Sequence, residues 1–97
     1  MDDNETRRSQ TIARSEEALN QALSRLDLIL KRFREGDLKA LHDLPPPDVI
    51  QSISRLITFL EQEQGVEKIR PTRDRVDVMF LELRKLLIRL SESAGPN

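Results

Sequence analysis

The stretch HDLPPPDVIQSISRL (residues 42–56) decides how this chain folds. Three consecutive prolines stand inside a sequence that otherwise reads as helix. Proline has no backbone donor and drives the residue before it toward extended geometry. Leu44, Pro45 and Pro46 are therefore expected to be extended, with Pro47 opening the first turn of a new helix. The run is a rigid spacer between two helices and not a bend in one. A proline-rich ligand for an aromatic groove is the other use of such a stretch, but the flanks are helical and PxxP spacing is absent.

Downstream, Val49, Ile50, Ile53, Leu56, Ile57 and Leu60 form one helical stripe, so helix 2 is expected from Pro47 to about Gln64, where Gly65 stops it. The connection GVEKIRP is short, which makes helices 2 and 3 antiparallel neighbours. Helix 3 is expected from about Thr72 to Glu92, with the stripe Val76, Met79, Phe80, Leu83, Leu86, Leu87 and Leu90. Upstream, Ile12, Leu19, Leu26 and Phe33 recur every seven residues, flanked by Ala22, Leu23, Ile29 and Leu30. They define helix 1 from roughly Ser9 to Arg34. Glu35-Gly36 ends it, and Lys31, Arg32 and Arg34 complement the dipole of its last turn. Asp37 is placed to cap a short helical turn whose Leu38 and Leu41, with Leu44, fold onto the open end of the bundle.

The fold expected is all-α: a small antiparallel three-helix bundle with a short helical turn and a Pro-rich spacer between helices 1 and 2. Residues 1–8 are expected to be a flexible N-terminus, 9–92 the bundle, and 93–97 a flexible C-terminus.

Composition bounds the function. With 16 Lys plus Arg against 17 Asp plus Glu, the formal net charge is -1. That balance argues against a nucleic-acid or membrane-surface binder, whose footprint is excess positive charge. There is no cysteine, which removes disulfides and thiolate chemistry and fits an intracellular protein. No apolar run approaches the roughly 20 residues of a membrane span, and MDDNETRRSQ lacks the apolar centre of a signal peptide.

Catalytic and metal-binding patterns are missing. The single histidine, His42, has only its sequence neighbour Asp43 as a partner, so it reads as solvated or capping. Glu61, Glu63 and Glu67 lack calcium-loop spacing, and the three glycines stand too far apart for a phosphate loop. No enzyme activity, cofactor or metal is expected.

The informative residues are those that do not fit the stripes. Leu28 falls on a polar face with Arg14, Gln21 and Arg32, and Phe59 lies at the edge of the helix 2 stripe. Val78, Leu81 and Ile88 lie on the back of helix 3 at offsets of three and seven. Single exposed apolar residues are ordinary; three aligned ones imply either that helix 3 is central or that its back meets another chain. Arg70, Arg73 and Arg75 surround the expected start of helix 3, where positive charge opposes the dipole. Either nearby acids such as Glu67 and Asp74 offset them, or IRPTRDR clamps an acidic or phosphate group.

These features point to a non-catalytic interaction module: a small subunit or adaptor, or a homo-oligomer, meeting another protein or itself through the back of helix 3. The alternative is a nucleic-acid-linked regulator using the arginines, which scarce aromatics disfavour. The stretch IRPTRDRVDVMFLELRKLLIRL, about a quarter of the chain, also resembles the last helix of BAG-type co-chaperone domains. That resemblance implies a three-helix bundle binding the ATPase domain of a seventy-kilodalton heat-shock chaperone. The family has Arg-Lys where this chain has Arg73-Asp74, and the acidic contact positions of its middle helix have no clear match in VIQSISRLITF.

The stripes predict that Leu56→Asp unfolds the domain, since an unpaired buried charge costs several kcal/mol, whereas Leu28→Asp leaves it folded. Thermal melts followed by circular dichroism check this, and equal losses in both variants would show the core to be misplaced.

Overall fold

The computed structural model describes residues 3–93 and contains helices α1 (Asp3–Arg34), α2 (Pro47–Gln64) and α3 (Val66–Ser93), with a 3-10 helix at Leu38–Asp43 between α1 and α2. The proline run acts as its chemistry dictates. Leu44 and Pro46 have extended ψ values of 133° and 156°, and Pro47 opens α2. Gly36 takes φ +92° just after α1. The carboxylate of Asp37 caps the 3-10 helix by accepting from the Lys39 amide at 3.0 Å. Arg32 then holds both ends of that helix. Its Nε donates to Asp37 Oδ2 at 3.0 Å and its Nη1 to Asp43 Oδ2 at 2.6 Å.

The three helices form an up-down-up bundle. Between α1 and α3, which run parallel, Asp27 lies near Arg75 and Arg34 binds Glu82. Between α1 and the antiparallel α2, Arg8 pairs with Glu63. The main core joins Leu19, Leu23, Leu26 and Leu30 of α1 to Ile53, Ile57 and Leu60 of α2 and to Ile69, Val76, Met79 and Leu83 of α3. A second cluster, Ile29, Phe33 and Ala40, is covered by Leu41, Leu44, Leu86 and Leu90, and it seals one end of the bundle. Leu56 is half-buried against the main core, while Leu28 is 59% exposed.

Several expectations need correction. Helix α3 starts at Val66, not near Thr72, and carries Pro71 within it. Gly65 alone makes the reversal, at φ +98° and ψ 144°, so the helix can resume at once. Burial of Ile69 in the main core draws the extra turn into the helix. The carbonyl that the Pro71 nitrogen cannot bond belongs to Glu67, an exposed residue where water can substitute. At the other end of the chain, α1 begins at Asp3, not Ser9, and residues 4–11 are an exposed helical overhang steadied by the Arg8–Glu63 pair. At the C-terminus α3 includes Ser93; residues 1–2 and 94–97, parts of the expected flexible termini, lie outside the described residues.

Val49 and Leu87, assigned to buried stripes, are exposed, and so is Leu38, expected to fold onto the end of the bundle. Val49 and Leu87 have the right helical phase but lie where no neighbouring element covers them, and Leu38 opens the 3-10 turn on its solvent side. The overhang and the staggered helices make the molecule long, with extents of 65 × 23 × 22 Å and a Cα radius of gyration of 16.5 Å. A compact domain of this length would have a radius of gyration of roughly 12–13 Å.

Gly65→Ala should destabilise the protein by about 1–3 kcal/mol, because its backbone region is essentially closed to other residues. A Cβ there would meet nothing within 4 Å, so the cost is conformational and not a clash. The melting temperature should fall by roughly 4–8 °C per kcal/mol, and an unchanged melt would contradict this reading of the hinge.

Candidate interaction surface

The stripe of α3 is broader than its neighbours can cover. Toward α1 it is closed by the core. On the α2 side it stays open, and Ile50 of α2 faces Phe80, Leu83, Arg84, Leu87, Ile88 and Ser91 of α3 across an apolar cleft of about 440 Å³. Leu83 forms the buried floor, Ile50 and Phe80 are half-buried, and Leu87 and Ile88 are 45% and 48% exposed on the rim. Arg84 supplies the charged group of the lining. Such a surface can bind by apolar burial but offers no convergent nucleophile, acid or base.

The sequence-derived candidates do not assemble into one site. Val78 and Leu81 are 65% and 53% exposed on the outer ridge of α3, so this ridge faces outward from the bundle and α3 is not enclosed on both sides. Ile88 joins the cleft. Leu28 is exposed on α1, opposite that helix's buried stripe. Phe59 is half-buried and packs against the main core, which gives the ring a structural role.

The arginine cluster is dispersed. The helix starts well before it, so the cations do not crowd an N-terminus, and the acids that offset them come from other helices. Arg73 makes a two-pronged bond to Glu61, with Nε to Oε2 at 2.6 Å and Nη2 to Oε1 at 2.7 Å. Arg75 lies 3.8 Å from Asp27 of α1, and Arg70 is exposed. With its fork occupied by Glu61, Arg73 cannot contribute to an anion clamp without breaking that pair.

These pairs perturb the carboxylates. The hydrogen bonds from Arg73 hold Glu61 below its ordinary range, against a smaller opposing effect of burial, and the hydrogen bonds from Arg34 do the same for Glu82. Asp37 is lowered chiefly by Arg32. His42 is exposed, and Glu63 is engaged by Arg8. Among the described residues no three His, Asp or Glu side chains come together as metal ligands, and no helix is long and apolar enough to cross a membrane.

Three members of the cleft, Ile50, Phe80 and Leu87, are not legible as surface from the sequence. Each fits a core stripe, and only the position of α2 against α3 reveals the opening. Comparison with known proteins finds no matching family model, no matching curated protein and no matching solved structure; the resemblance to BAG-type domains therefore rests on the α3 residues alone.

The paired carboxylates have folded-state pKa values below their unfolded ones. Their contribution to stability is thus complete above about pH 5 and lost as pH falls through the folded values. Glu61→Gln should lower the melting temperature at pH 7, and its gap from wild type should close as pH falls toward 2. A gap that stays constant over that range would remove the Arg73–Glu61 pair as the cause.

Proposed function

We propose that the protein is a non-catalytic interaction module, a small subunit or adaptor that receives an amphipathic helix of another protein in the cleft between α2 and α3. The observation that carries this reading is the apolar cleft itself, with Leu87 and Ile88 held at its rim by a rigid helix. Helix-in-groove recognition uses apolar anchors at i, i+3 or i+4 and i+7, which a slot between two packed helices accommodates. Arg84 on the rim favours an acidic residue beside the anchors of the incoming helix. Such a module needs no catalytic group, since its affinity comes from a few well-placed apolar contacts.

Leu87→Lys places a charge on the rim and should abolish partner binding while leaving helicity unchanged, because the side chain is already half in water. Full-length wild type and variant serve as baits for affinity capture, and the methyl resonances of Ile50, Leu83 and Leu87 are followed as the purified captured protein is added. Loss of capture in the variant, with wild-type shifts confined to these methyls, is expected. Identical capture by both baits, or shifts elsewhere, would refute the cleft as the binding site.

A further inference from the structure

The outer ridge of α3, which meets the cleft only at Arg84 and Ile88, carries a charge pattern with a specific symmetry. Asp74, Val78, Leu81, Lys85 and Ile88 are all exposed and follow each other at intervals of four, three, four and three residues. That spacing is the seam of a helix–helix contact. Val78 and Leu81 sit at its centre. Acids lie on the N-terminal side, where Glu67, Asp74 and Asp77 outnumber Arg70. Cations lie on the C-terminal side, where Arg84, Lys85 and Arg89 outnumber Glu92.

The centre of this face, from Asp74 to Lys85, is the electrostatic complement of itself turned end for end. We propose that it is a self-association surface on which a second copy of this chain packs with its α3 antiparallel. The two-fold axis then falls near Met79 and Phe80. Val78 meets the partner's Leu81, Asp74 meets the partner's Lys85, and Asp77 meets the partner's Arg84, each contact occurring twice. The same register sets Glu67 opposite the partner's Glu92 and Arg70 opposite the partner's Arg89, so the attraction comes from the central pairs and the ends of the face oppose it. A parallel arrangement would set acid on acid and cation on cation. Two-fold interfaces require this self-complementarity, because the same patch serves both subunits; a foreign helix imposes no such requirement. Glu82 and Arg75 border the face but are engaged by Arg34 and Asp27 of α1, and they anchor the ridge to its own bundle.

A contact one helix wide is smaller than a standard interface of about 800 Å² per partner, so the dimer is a weak one that depends on charge. The inference rests on the interaction-module reading and shares Arg84 and Ile88 with the cleft, but Leu87 lies on the far side of α3 from the seam. Leu87→Lys therefore leaves self-association unchanged, and the two readings can fail separately.

The test uses two full-length variants: Asp74→Lys with Asp77→Lys, and Arg84→Asp with Lys85→Asp. None of the four positions is buried, and circular dichroism verifies that both variants remain helical. By sedimentation equilibrium, wild type should dimerise with a strength that falls as salt is raised. Each variant alone should associate at least about tenfold more weakly. An equimolar mixture of the two should recover association, because each now complements the other. Wild type that stays monomeric to millimolar concentration overturns the proposal, as do variants that associate like wild type or a mixture that stays monomeric. Wild type that is monomeric yet binds another protein through Leu81 also overturns it, in favour of a foreign occupant.

Discussion

Everything in the bundle hangs on removing the leucine stripe of α1 from water. Leu23, Leu26 and Leu30 are completely buried, and both core clusters are built on α1. Burying an aliphatic side chain of this size is worth about 1.5–3 kcal/mol, and a single helix cannot do it alone. The remainder of the chain is arranged around that need. Helices α2 and α3 cover one length of the stripe, and the 3-10 helix with Leu41 and Leu44 covers its end. Ala40, Leu41 and Leu44 pack this end cover against Ile29 and Phe33, and the Arg32 contacts to Asp37 and Asp43 tie its two ends to α1.

Local chemistry was legible. Gly36 and Gly65 as stops, Asp37 as a cap, Pro47 as an opening residue and the stripes of all three helices can be read from residue types and spacing, because each is decided within a turn or two of chain. The failures share one cause. Pro71 looks like a residue that precedes a helix, and only the distant core around Ile69 makes the extra turn worthwhile. Leu87 and Val49 look buried because phase is periodic, whereas coverage depends on where a neighbouring helix ends. The arginines looked like a cluster because Glu61 and Asp27, their partners, are remote in sequence.

The candidate surface was half visible for the same reason. Val78 and Leu81 stand out from the sequence because they violate the α3 stripe. The cleft is hidden because its residues, Ile88 apart, obey it. Helix α3 thus has two exposed apolar edges of different origin, one from a pattern broken on its outer side and one from a pattern left uncovered on its α2 side.

The staggered ends of the helices have a hydrodynamic consequence. A body nearly three times as long as it is wide experiences more friction than a sphere of equal mass. On a size-exclusion column calibrated with globular standards, a single chain would elute early and imitate a larger species. The shape of the molecule therefore makes sedimentation equilibrium or light scattering, which report mass independently of friction, the proper basis for deciding how many chains travel together.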